Sequence, residues 1–177
     1  MSCLVLILSC LLSLVNVPDV FRDMVAGHRV TFGYVFSTTV AGKPVGGSGT
    51  ITYQDGAYKL ETDGFLVYND KETRCTINDI DREAVVETGT DVDYLTDPEK
   101  LLDFFGKKSK DAEITVRYSP DNKRLVSVEA QVKDSSKESS RIRIMITSME
   151  FMPKGLLSDF SFDPQTLDNT YVITDLR

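Results

Sequence analysis

The chain has 177 residues, 41% hydrophobic and 27% charged, with 20 Lys and Arg against 27 Asp and Glu and a formal net charge of −7. That length and balance fit one globular domain large enough to bury a core. The acid excess, without a basic stripe, argues against nucleic acid as a partner and gives the chain as a whole no attraction to an anionic membrane surface.

The first residues set the expected compartment. Leu4 to Val15 (LVLILSCLLSLV) is an apolar run, close to the hydrophobic segment of an export signal and short of the ~20 residues that span a bilayer. We expect residues 1–17 to be an export signal and residues 18–177 one domain. No Lys or Arg precedes the run and no A-x-A site comes after it; the expectation is either a truncated start or cleavage near Val15 to Asp19. A lipoprotein signal ending at Cys10 is the alternative, although Ile-Leu-Ser is a poor lipobox. Loss of this segment removes Cys3 and Cys10 and leaves Cys75 without an intramolecular partner. Inside an alternating strand, Cys75 reads as a small buried hydrophobe and not as a reactive thiol.

Pro18-Asp19 opens a short helix in which Val20, Phe21, Met24 and Val25 form one apolar face, and Gly27 ends it. From there the period switches to two. His28, Val30, Phe32, Tyr34, Phe36, Thr38 and Val40 fall on one side of a strand. Gly42 to Gly49 (GKPVGGSG) reads as a flexible hairpin loop, leading to a strand from Gly49 to Tyr53 and a hairpin at Asp55-Gly56. Tyr58, Leu60 and Thr62 then alternate with polar residues, Asp63-Gly64 turns the chain, and Phe65, Val67 and Asn69 continue. A turn at Asn69-Asp70-Lys71 leads into Thr73, Cys75 and Ile77, and Asn78-Asp79 leads into Ala84 to Val86.

Asp97 to Gly106 (DPEKLLDFFG) interrupts the strands with a two-turn helix, capped by Asp97 and stopped by Gly106, with Leu101, Leu102 and Phe105 on one face. Ala112, Ile114, Val116 and Tyr118 resume the alternation, Pro120 to Lys123 turns, and Val126, Val128, Ala130 and Val132 form the next apolar side. Ile142, Ile144 and Ile146 face one way, Arg141, Arg143 and Thr147 the other, and Tyr171 to Thr174 is a last short strand. The sum is nine to eleven antiparallel strands, each with one apolar side, and two short helices. Such a sheet must close on itself or be covered. The expected fold class is therefore mainly β with short helices (α+β): an incomplete antiparallel barrel or strongly curved sheet with a helical lid.

Residues for chemistry are sparse. His28 is the single histidine and no nucleophile motif accompanies it. Metal-ligand spacing is absent, and the acids at Asp79, Asp81, Glu83 and at Asp91, Asp93, Asp97 lack the glycine and terminal glutamate of a calcium loop. The glycine-rich stretch lacks the Lys-Ser/Thr of a phosphate cradle. No enzyme activity, cofactor, metal or catalytic residue is expected. The apolar residues admit two readings, a filled core first and an acyl-chain cavity second.

The motifs in order bear on that choice. SGTITYQDGAYKLETDGFLVYNDKETRCTINDIDREAVVE resembles the central strands and hairpins of LolA-type outer-membrane lipoprotein carriers. DPEKLLDFF resembles that family's next helix, and DFSFDPQTLDNTYVITDLR is similar to the close of LolA-like proteins from Bacteroidetes. The resemblance spans residues 19–177. It implies an incomplete barrel with a helical lid that shields lipoprotein acyl chains and ferries them across the periplasm from inner to outer membrane. The implied partners are acylated lipoproteins, an inner-membrane lipoprotein-releasing transporter and an outer-membrane acceptor. The chain is expected to act as a monomer. The same fold also serves lipid- or lipoprotein-sensing regulatory modules, the alternative reading. The expected cavity lining is Val30, Phe32, Tyr34, Phe36, Tyr58, Leu60, Phe65, Val67, Ile142, Ile144 and Ile146, with Met24, Leu101, Leu102 and Phe105 from the lid. Two departures stand out: Gln54-Asp55 replaces the family's Arg-Pro pair, whose Arg latches the lid, and Cys75 replaces its hairpin Trp.

Overall fold

The fold was determined as a computed structural model that describes residues 17–40, 43–91, 112–132 and 140–177. The helix expected over 97–106, with Leu101, Leu102 and Phe105, lies outside the described residues, as do residues 1–16.

Helix α1 spans Asp19–Gly27. Pro18 presets its entry, the Arg22 N–H donates to the Pro18 carbonyl at 3.0 Å, and Asp19 places a negative charge in the first turn, where the helix dipole favours it. At the other end His28 donates from Nδ1 to the Met24 carbonyl oxygen at 2.9 Å, so the lone histidine caps the helix and packs edge-on against Phe151. Phe21 and Val25, four residues apart, are buried together with Val17, and Met24 is half-buried. Val20 is 47% exposed, so the apolar face is narrower than the sequence suggests.

The strands are β1 (Arg29–Val40), β2 (Lys43–Gln54), β3 (Ala57–Thr62), β4 (Phe65–Asn69), β5 (Thr73–Asn78), β6 (Glu83–Thr88), β7 (Ala112–Tyr118), β8 (Leu125–Val132), β9 (Ser140–Met152) and β10 (Val172–Asp175). They form one strongly curved, unclosed sheet in the order β10-β6-β5-β4-β3-β2-β1-β9-β8-β7. Two meanders, β1 to β6 and β7 to β9, join where β9 pairs with β1. Asp55 and Gly56 both have positive φ, 50° and 84°, the two-residue turn whose twist matches a β-hairpin. One pairing departs from the antiparallel expectation: β10 runs parallel to β6.

From Lys43 onward the glycine-rich stretch is strand and not loop. Gly46, Gly47 and Gly49 lie within β2, paired with β1 out to Val40 and Lys43. Gly47 and Gly49 stand opposite Phe36 and Tyr34. A Cβ on Gly47 would meet the Phe36 ring at 2.8 Å, and one on Gly49 would meet the Tyr34 hydroxyl at 2.8 Å. The missing side chains are the space these rings occupy.

Two cores result, on opposite faces. The larger joins α1 to β1, β2, β3, β8 and β9 through residues such as Phe21, Phe32, Ile51, Tyr58, Val128 and Ile144. The smaller holds Cys75, Ile77, Ala84 and Val86, with Leu66, Tyr68, Phe162, Leu167 and Tyr171 packed on it. Tyr68 pairs with Cys75 and Leu66 with Ile77, so Cys75 faces away from Val67, Leu60 and Tyr58. The tail after β9 covers this outer core, with Phe162 stacked on Tyr68 at 4.9 Å.

Candidate functional site

The pairing registers arrange the inner face in rows. Val67, Leu60, Ile51, Phe32 and Met149 lie side by side across β4, β3, β2, β1 and β9. The next row holds Asn69, Tyr58, Tyr53, Val30 and Phe151. On the other side, Val116, Val128, Ile144 and Phe36 form one row, and Ile114, Ala130, Ile142 and Thr38 another. Each row is largely apolar because alternate residues of every strand share a face.

Burial is uneven along these rows. Val30, Phe32, Tyr34, Tyr58, Leu60, Val67, Ile142 and Ile144 are buried. Phe36, Ile146, Ile114 and Val116 are only partly buried against the same core, Phe65 is 38% exposed and Val45 44%. The inner face therefore stays apolar past the point where the protein covers it, and an accessible greasy margin is left at that end. All eleven sequence-expected lining residues lie on this face, eight in the covered part and Phe36, Phe65 and Ile146 on the margin. Of the lid set, Met24 sits half-buried on α1.

The expected lining leaves out Ile51, Tyr53, Val128, Ala130 and Met149, which share this face, although alternation already puts Val128 and Ala130 on one apolar side. Met149 escapes strict alternation because the register with β1 shifts between Gly33 and Tyr34, so that Gly33 pairs with Ser148 and Tyr34 with Ile146. The extra residue, Thr147, flips the parity of the strand beyond it. Gly33 is the trace of this: a Cβ there would meet Thr147 Oγ1 and Ser148 Oγ at 2.8 Å.

Polar groups on the inner side are few and positioned. Asn69 is fully buried, donates to the carbonyls of Gly56 and Thr90, and accepts from the Thr90 N–H at 2.9 Å. The Tyr118 hydroxyl is buried with no hydrogen-bond partner, beside Phe21 with ring centroids 5.2 Å apart. Burial pushes its pKa up to about 12, offset in part by the Arg22 charge.

Gln54 proves to be a clamp. It is 3% exposed, donates to the Gly155 carbonyl and accepts from the Gly155 N–H, both at 3.0 Å. Arg29 donates to Gln54, to the Leu156 carbonyl and to Asp159, and lies over the Phe160 ring. Together they fasten the segment after β9 to the sheet. Among the described residues no group of three or more His, Cys, Asp or Glu is arranged to hold a metal ion.

No protein-family model matches this chain, and no curated protein does. Among solved structures the chain is similar to an uncharacterized conserved protein from Thermus thermophilus, at 5% identity and a TM-score of 0.51, over 89% of this chain and 95% of that one. It is also similar to a DUF1329 family protein from Desulfovibrio piger, at 10% identity and a TM-score of 0.42, over 81% of this chain and 95% of that one. The likeness to the Thermus protein concerns the fold alone.

Proposed function

We propose that this protein is a periplasmic carrier of the LolA type, which shelters the acyl chains of lipoproteins on its inner face while they cross from inner to outer membrane. The observation that supports this reading is the inner apolar face that continues, only partly covered, at Phe36, Ile114, Val116 and Ile146 and reaches solvent at Phe65 and Val45. At ~0.8 kcal/mol per methylene, an acyl chain of ordinary length cannot cross water without such shelter. The cargo enters at this margin and lies along the rows of β1, β9 and β8. Its donor is an inner-membrane lipoprotein-releasing transporter and its recipient an outer-membrane acceptor.

The test is to mix the protein with a diacylated lipopeptide in detergent-free buffer and to separate the products by size. A soluble one-to-one complex is expected, weakened about ten-fold or more when a charge is placed on the margin by Phe36→Glu. Lipopeptide that stays aggregated in the presence of folded wild-type protein overturns the reading.

A further inference from the structure

The outer face of β9 carries Arg141 and Arg143, two residues apart and therefore on the same side of the strand. Register sets Arg143 between Ser37 on β1 and Glu129 on β8. Ser37, Thr38, Thr39, Pro44, Arg141 and Arg143 enclose an open cleft of about 330 Å³. Arg143 spends its Nε on Glu129 Oε1 at 3.2 Å, and Arg141 spends Nη2 on the other oxygen. Among the described residues, both terminal nitrogens of Arg143, and Nε and Nη1 of Arg141, have no other partner. Arg117 on β7 is a third cation within electrostatic reach of Glu129. Arg141 and Arg143 share the carboxylate of Glu129, and the register places Glu113 in the same outer-face row as Arg141, two strands away.

Ser37 and Thr39 add hydroxyl donors on the facing strand. Thr38 borders the cleft between them, its own side chain lying in the inner-face row with Ile142. A phosphate group offers oxygens to both guanidinium forks and to the neighbouring hydroxyls at once. We infer that this outer-face cleft binds a phosphate group, held by Arg141 and Arg143 with Ser37 and Thr39 as hydroxyl donors. It lies on the opposite face from the apolar site and does not depend on the carrier reading. The phosphate comes either free in solution or as a lipid headgroup.

The experiment titrates the full chain with inorganic phosphate by calorimetry at low salt. In parallel the protein is sedimented with vesicles of phosphatidylcholine, with and without phosphatidylglycerol. Arg141→Gln and Arg143→Gln are compared with Arg124→Gln, which removes the same charge from an exposed turn. Far-UV circular dichroism checks that each variant is folded. Phosphate binding that weakens about ten-fold or more in the first two variants and is unchanged in the third supports a site for the free anion. Retention on the phosphatidylglycerol vesicles alone, lost in the same two variants, supports the headgroup. Absence of both, or equal loss with Arg124→Gln, overturns the site.

Discussion

Tyr118 shows how a single side chain sets a pH dependence. Its hydroxyl is buried without a partner and its pKa is raised to about 12 from the ordinary 10.0. Because the folded value lies above the unfolded one, its contribution is fully present below pH 10 and is lost as pH rises toward 12. Tyr118→Phe removes both the unpaired hydroxyl and this alkaline loss. Urea unfolding is expected to show the variant at least as stable as wild type near neutrality and more stable at alkaline pH. A variant that loses stability at neutrality would place a missing hydrogen bond at this hydroxyl. Some of these residue roles are legible in the sequence. Cys75 is read as buried from its place in an alternating strand, and it is 1% exposed. The clamp by Gln54 is not legible, because its partner Gly155 lies 101 residues away and only the fold brings them together.

At the level of elements, α1 illustrates dependence on packing. A helix of nine residues is marginal alone, and Phe21, fully buried against Tyr118, ties it to the sheet. Phe21→Ala is expected to lower unfolding free energy by about 3–5 kcal/mol, read from denaturant midpoints. Strand β2 illustrates a different rule. Its glycines look like a loop in sequence because composition cannot show that Phe36 and Tyr34 rest over Gly47 and Gly49. Gly47→Val should drive a side chain into the Phe36 ring and destabilise the protein by about 1–3 kcal/mol. A neutral effect would mean that the ring does not rest on that glycine. Helix and strand periods are local properties and are legible, whereas this contact crosses between strands.

Across the whole molecule, one-sided strands predict a curved sheet, and the described residues form one unclosed sheet of ten strands. Two features of it escape sequence. Periodicity tells that a strand has an apolar side but not which face of the sheet that side meets, so the outer core around Cys75 and Ile77 emerges only from the register of β4 and β5. The parallel placement of β10 depends on the path of the tail, which no local pattern encodes. The parts of the inner face on β1 and β9 are legible by contrast, since Val30 to Phe36 and Ile142 to Ile146 keep their alternation, whereas Met149 lies beyond the register shift. The central claim is that the exposed margin of this face receives hydrocarbon. Titration of the protein with an environment-sensitive fluorescent fatty acid tests it most directly, helped by a chain that contains no tryptophan. Saturable binding at one site, displaced by a diacylated lipopeptide and weakened by Phe36→Glu, is the expected result. Folded protein that leaves the probe's emission unchanged up to its solubility limit contradicts the account.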